Sequence, residues 1–241
     1  MTQENKVFIS VIIPAYNEEA RIVATFRKIK SYLNRQNYSH EIIIVDDGSD
    51  DRTGELAKGL IKNDNQISYL RNLRNMGKGY SVKCGVLKAR GEYIMFSDAD
   101  LSVPIEEIEK LFKWLREGFH IAIGSRGLPE SKIIVRQFWV RQVMGKIFNF
   151  LIRRIAVRDI RDTQCGFKCF KKDVAYRIFQ NQKLNGFSFD VEVLYLAQKA
   201  GYRIKEVPIV WSNSTGTKVH IIEDAIKMFF DLIRIIFFHR E

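Results

Sequence analysis

Two aspartates one residue apart, Asp98 and Asp100, follow the apolar run Tyr93 to Ser97 (YIMFS). Carboxylates so close repel unless a cation lies between them. Hard oxygen ligands select Mg²⁺ or Mn²⁺, ions that also hold diphosphates. The same pair could instead cap a helix ahead of Pro104. A second pair, Asp46 and Asp47, follows Glu41 to Val45 (EIIIV). A carboxylate there can accept from a base N–H or from ribose hydroxyls, and Asp-Asp-Gly-Ser is also good turn chemistry. The two readings are compatible, with one aspartate for each role. Asn75-Met-Gly-Lys-Gly79 lets backbone come close to a ligand beside Lys78. It reads equally as a loop running into a helix. Arg126 could neutralise a diphosphate, or be an ordinary surface arginine after a strand.

The elements that must position these residues are legible. Val7 to Pro14, Glu41 to Val45, Ile67 to Leu70, Tyr93 to Ser97 and His120 to Gly124 are short apolar runs, as strands buried on both faces should be. Helical patterns separate them at 18–35, 51–62, 78–89 and 104–117. Asp50 or Asp51 suits the N-cap of the second, and Pro104 the first turn of the fourth. The alternation predicts an α/β fold, a mostly parallel central sheet with helices on both faces. Ligands in such sheets bind at the carboxyl ends of the strands. Tyr16-Asn17-Glu18, Asp46-Asp47, Asp98-Ala99-Asp100 and Ser125-Arg126 all fall there. Four placements converge on one crevice.

The second half is less regular. It reads as an amphipathic helix over 138–157, a turn and strand over 162–170, a helix over 187–200 and a strand over 204–211. A small-residue loop over 213–217 and a helix from about His220 to Phe238 follow. In that last helix Glu223, Asp224, Lys227, Asp231 and Arg234 share an arc of ~100°, and the rest is apolar. A helix packed on its own domain needs only a stripe. The surplus suits an interface with a membrane or with a second copy of the chain.

The net charge of +11 is unevenly spread. Residues 1–120 hold 18 basic and 17 acidic side chains, and residues 121–241 hold 21 and 11. Such a basic half attracts phosphate on nucleic acid, lipid or substrate, or is simply a solvated face. A nucleic-acid module would interleave aromatics with the basic residues, whereas Tyr and Phe here sit mostly in apolar runs, so no nucleic-acid partner is expected. Of the three cysteines Cys84, Cys165 and Cys169, the last two lack partners at zinc-ligand spacing and read as buried thiols, which favours a reducing compartment. No secretory signal and no uncharged run of ~18 apolar residues is present, which predicts a soluble or peripherally held chain.

Taken in order, Pro14-Ala-Tyr-Asn-Glu18, Val45-Asp-Asp-Gly-Ser-Asp-Asp-Arg-Thr53, Asn75-Met-Gly-Lys-Gly79, Asp98-Ala-Asp100 and Gly124-Ser-Arg126 resemble the inverting glycosyltransferases of A-type (GT-A) fold. Asp162-Thr-Gln-Cys-Gly-Phe-Lys168, Phe189-Asp-Val-Glu192 and Glu206-Val-Pro-Ile-Val-Trp211 are similar to the dolichyl-phosphate β-glucosyltransferase branch. The dolichyl-phosphate mannosyltransferases come a close second. The resemblance implies one domain over 1–219, with a Rossmann-like nucleotide-sugar half (1–126) and an acceptor half (127–219), and a C-terminal amphipathic helix over 220–241. It implies a donor site of Pro14, Ala15, Tyr16, Glu18, Asp46, Asp47, Lys78, Asp98, Ala99, Asp100, Arg126, Asp190 and Glu192. Within it Asp98 and Asp100 would bind Mg²⁺ or Mn²⁺, with Asp100, Arg126 and Asp190 catalytic. Arg136, Arg141, Gln164 and Lys218 would meet the acceptor. Two departures stand out: Ser102 stands where a glutamine is common among relatives, and residues 1–7 do not read as the N-terminal anchor that the resemblance leads one to expect.

The implied activity is inverting transfer of a hexose, glucose favoured, from UDP-glucose to polyprenyl or dolichyl phosphate, at the cytoplasmic face of a membrane. GDP-mannose as donor, or extension of a polysaccharide, are the enzymatic alternatives. An inactive scaffold is disfavoured by the intact Asp98, Asp100 and Arg126. A lipid monophosphate, with a second pKa near ~6, is already a charged nucleophile, so no strong base is required. Asp190 could act as a base or orient sugar hydroxyls.

Overall fold

The computed structural model describes residues 6–61, 64–135, 152, 156–213 and 221–240, with side chains of 227–240 only in the last stretch. Strands β1 (Ile9–Ala15), β2 (His40–Asp46), β3 (Ile67–Arg71), β4 (Tyr93–Ser97) and β5 (Ile121–Ser125) alternate with helices α1 (Ile22–Leu33), α2 (Thr53–Leu60), α3 (Lys78–Lys88) and α4 (Ile108–Arg116). Then come β6 (Lys132–Val135), β7 (Phe167–Lys171), α5 (Lys172–Asn181), α6 (Phe189–Lys199), β8 (Ile204–Pro208), β9 (Val210–Ser212) and α7 (Ile221–Phe238). Seven strands form one sheet in the order β3-β2-β1-β4-β7-β5-β8, and β6 pairs with β9.

Strand β1 shows why the sequence reads as it does. All seven of its residues are buried. Ile9, Val11 and Ile13 face one core with Phe26 and Ile29 of α1 and Leu111 of α4. Ile12 faces the opposite core with Val82 and Val86 of α3 and Val174 of α5. Helices cover both faces, so no polar alternation survives. Crossing from β3 to β4 over β1 and β2 opens a crevice beyond β1 and β4, where such sheets bind ligands.

Several details differ from the sequence pattern. Strand β7 runs antiparallel to both β4 and β5, placing Lys168 opposite Phe96 and Ile123. The run 204–211 divides after β8: Pro208 has no N–H to continue the ladder, and β9 leaves to join β6. Pro104 (φ −56°, ψ 140°) stands ahead of a short 3₁₀ turn, Ile105–Glu107, so α4 starts later than its proline suggests. Strand β6 and helix α5 had no distinct signal. Most of the expected helix over 138–157 and loop over 213–217 lies outside the described residues. Among the described residues, no helix is long and apolar enough to cross a membrane.

Candidate active site

Asp46 and Asp47, at the end of β2, build one wall of the crevice. Asp46 is fully buried: Oδ1 accepts from the Ser49 amide (2.9 Å), and Oδ2 from the Tyr69 hydroxyl (2.8 Å) and Arg71 Nη1 (2.9 Å). It therefore reaches a ligand only through the turn it organises. Asp47 accepts from Asn72 Nδ2 (2.6 Å) and from the amides of Met76 (2.9 Å) and Gly77 (2.8 Å). Those bonds fix the loop that ends at Lys78. Gly77 has φ +100°, and a Cβ on it would run into the Asn185 carbonyl. No side chain fits there.

The second wall carries the paired aspartates. Asp98 Oδ1 lies 2.7 Å from Lys78 Nζ. Asp100 accepts from the Ser102 amide (2.9 Å) and hydroxyl (2.8 Å). Leu101 between them sits at φ +47°, a left-handed conformation costing a non-glycine residue about 1–2 kcal/mol. Its amide bonds to the Asp98 carbonyl at 3.1 Å, closing a tight turn that presents both carboxylates. Gly166 completes the turn from β7's side, because a Cβ there would fall on the Asp98 carboxylate. Gly166→Ala is expected to displace Asp98 and cut turnover roughly tenfold to a hundredfold with little change in melting temperature. Steady-state kinetics beside thermal denaturation checks this; unaltered turnover would contradict the packing.

Three cations belong to the surrounding network of charges, Lys78 paired with Asp98, Arg126 with Asp162 and Lys168 with Asp190. Burial alone would lower the Lys78 pKa, but Asp98, then Asp190 and Asp100, more than compensate and hold the ammonium well above the ordinary lysine range. Lys168 is fully buried, donating to Asp190 Oδ1 and to the Cys165 carbonyl (2.7 Å) beneath the Phe96 ring. Burial raises the Asp190 carboxyl, with Lys168 and Lys78 pulling against it. Arg126 grips Asp162 through its amide (2.9 Å), Nε (2.6 Å) and Nη2 (2.8 Å), and its guanidinium lies 5.6 Å from the Trp211 ring centre.

The Asp162 carboxyl would be raised by burial, but Arg126 outweighs that and holds it below the usual range. A depressed carboxyl contributes stability above its unfolded value, about pH 4, and loses it as pH falls through its lower folded value. The melting-temperature gap between wild type and Asp162→Asn should be full at pH 6 and shrink below about pH 4. A gap independent of pH would contradict the charge pairing.

Other expected residues are placed as follows. Pro14 and Ala15 are buried at the end of β1, and the Ala99 carbonyl accepts from Thr25 Oγ1 (2.5 Å). The Tyr16 hydroxyl is 3.4 Å from Asp50, and Glu18 pairs with Arg21, whose charge is also felt by Asp100. Gln164 reaches toward Met228 of α7 (3.8 Å). Glu192 is fully buried, and its oxygens take the amides of Lys183 (2.9 Å) and Leu184 (2.8 Å) and His239 Nε2 (2.7 Å). It ties the segment before α6 to the C-terminus. Arg136, Arg141 and Lys218 lie outside the described residues. Cys165 and Cys169 are buried free thiols, and Cys84 is half-buried.

The sequence pattern had included Asp162, Gly166 and Lys168 in one motif without giving any of them a role, and had not singled out Arg71. Lys168 had a signal: a lysine within Phe-Lys-Cys-Phe, in a strand buried on both faces, needs an acid partner.

The donor set fits a divalent ion that shares its coordination with substrate. Among the described residues no cluster of three or more His, Cys, Asp or Glu forms a metal cage. Asp98 and Asp100 on one turn supply two hard carboxylates, the protein share typical of Mg²⁺ sites completed by phosphates and water.

Residues 10–179 match glycosyl transferase family 2. The chain belongs to that family and is a glycosyltransferase. It is 36% identical to a dolichyl-phosphate beta-glucosyltransferase of Trichomonas vaginalis, over 98% of this chain and 75% of that protein. The enzyme of the same name from Dictyostelium discoideum is 35% identical, over 97% and 75%, and that of Saccharomyces cerevisiae 34%, over 95% and 74%. Among solved structures, glucosyl-3-phosphoglycerate synthase of Mycobacterium tuberculosis, in complex with Mn²⁺, UDP and glucosyl-3-phosphoglycerate, aligns with TM-score 0.65 at 18% identity, covering 95% of this chain and 80% of that one. Mannosyl-3-phosphoglycerate synthase of Rubrobacter xylanophilus aligns with TM-score 0.69 at 15% identity, over 95% and 72%. At these identities the likeness shows the shared fold.

Proposed function

We propose that this chain transfers glucose from UDP-glucose to the phosphate of dolichol or a related polyprenol, inverting the anomeric carbon. The observation that carries this reading is the crevice itself: Asp98 and Asp100 share one turn after β4, Lys78 pairs with Asp98, and Arg126, which follows β5 and is held by Asp162, adds its charge to Asp98. Such a site manages phosphate charge on both reactants. The relatives' common name supplies the sugar and the lipid.

Tyr16, Glu18 and the Asp46–Asp47 turns receive the nucleoside, and Lys78 and Arg126 face the diphosphate. A divalent ion bound by Asp98 and Asp100 would supply further positive charge to the leaving group. The acceptor phosphate oxygen attacks C1 from the side opposite the diphosphate. The new C1–O bond forms as the old one breaks, and the electron pair leaves with UDP. Because the nucleophile is already an anion, preorganised positive charge contributes more than proton removal. Asp190 orients sugar hydroxyls. Arg136, Arg141, Gln164 and Lys218 complete the acceptor site, and the enzyme works peripherally on its membrane.

Thermal denaturation with candidate donors tests the donor assignment. UDP-glucose with Mn²⁺ at about 100-fold over its Kd should stabilise the fold by about 2.7 kcal/mol. GDP-mannose doing so in its place would move the chain to the mannosyl reading.

A further inference from the structure

Helix α7 has an inward anchor and an outward ridge. Inward, Leu232 and Ile235 are buried, and His239 just beyond the helix bonds to Glu192. Outward, Phe229, Phe230, Ile233, Phe237 and Phe238 are 43–72% exposed. At ~100° per residue they occupy about half the circumference, with Lys227 and Arg234 among them. Between α7 and the 183–186 segment lies a groove of about 520 Å³. Its charged lining is Lys183, Lys227, Arg234 and Asp231, and Leu184, Phe230 and Phe238 line it too. Asp231 is engaged by Ser188 Oγ (2.7 Å) and Arg234 Nη1 (3.4 Å). Lys183 donates to the Phe238 carbonyl (3.2 Å) and, as an ammonium with three donors, keeps capacity for a ligand.

We infer that this groove and ridge dock the protein on an anionic bilayer, with lipid phosphates among Lys183, Lys227 and Arg234 and the exposed phenylalanines at the acyl boundary. A helix with an apolar face beside basic side chains lies in the interfacial plane in this way. Charge selects this occupant over a second copy of the chain: three of the four charged lining groups are basic and the fourth, Asp231, is already engaged by Ser188 and Arg234, so an anionic surface complements the groove where the same basic face would not. The inner wall also leads to the active site. The Asn185 carbonyl accepts from the Tyr80 amide (3.2 Å) and abuts Gly77, so the docked face backs the turn that carries Lys78. The inference deepens the proposed function, since a lipid acceptor resides in that bilayer, but its test needs neither donor nor acceptor.

Full-length protein is sedimented with vesicles of phosphatidylcholine alone or mixed with phosphatidylglycerol. Wild type should prefer the anionic vesicles and be released as salt rises. Lys227→Ala/Arg234→Ala should weaken that partitioning roughly 30-fold, and Phe230→Ser/Phe237→Ser should weaken it for both compositions. Melting temperatures confirm folding, and the salt series on wild type needs no variant. Equal binding to both vesicles, or variants that bind like wild type, would overturn the inference. So would variants that alter only the subunit count, or that raise only the KM for polyprenyl phosphate.

Discussion

Asp100→Asn is expected to leave the fold intact and lower turnover by about 10²–10³, or about 2.7–4 kcal/mol of transition-state stabilisation. Asparagine keeps an oxygen for the Ser102 amide, so the turn holding Leu101 at φ +47° survives. What disappears is one of two charges presented to a cation and diphosphate. Steady-state kinetics with and without EDTA, beside melting curves, separates the outcomes. A variant as active as wild type, or full wild-type activity in EDTA, would remove the paired aspartates from the chemistry.

Lys168→Met is expected to destabilise the protein by about 3–5 kcal/mol, because it leaves the buried Asp190 carboxylate without its hydrogen-bonded counter-ion, Lys78 acting on it only through space. The size follows from burial: Lys168 is 0% and Asp190 3% exposed. Adding Asp190→Asn should recover part of the loss, since an amide needs no compensating charge. Denaturant titration of the two single variants and the double variant gives the coupling energy. Independent, additive losses would show that the two side chains do not act as a pair.

The strands of the first half were legible because β1, β2 and β4 are covered on both faces and admit only apolar residues. Their polar ends then marked the crevice without any knowledge of topology. The direction of β7 was not legible, since local pattern says nothing of which strands a run pairs with. Asp98 and Asp100 stood out by spacing, whereas Asp46 and Asp47 hid behind chemistry shared by turns and ligands. The structure gives Asp46 to Tyr69 and Arg71, and Asp47 to the loop before Lys78. Glu192 entered the donor site only through the resemblance carried by Phe189-Asp-Val-Glu192. The contacts it makes in the fold, to the amides of Lys183 and Leu184 and to distant His239, depend on long-range packing that no local pattern shows. Lys168 was legible in principle, from the cost of burying an unpaired ammonium.

Transfer itself tests the account most directly. The purified chain is offered labelled UDP-glucose, UDP-galactose, UDP-GlcNAc and GDP-mannose in parallel, each with polyprenyl phosphate and Mn²⁺. The expected result is label from UDP-glucose in the lipid phase, as a β-linked, mild-acid-labile phosphodiester. Lipid labelled only from GDP-mannose, an α-linked product, or no lipid product from any donor would contradict it.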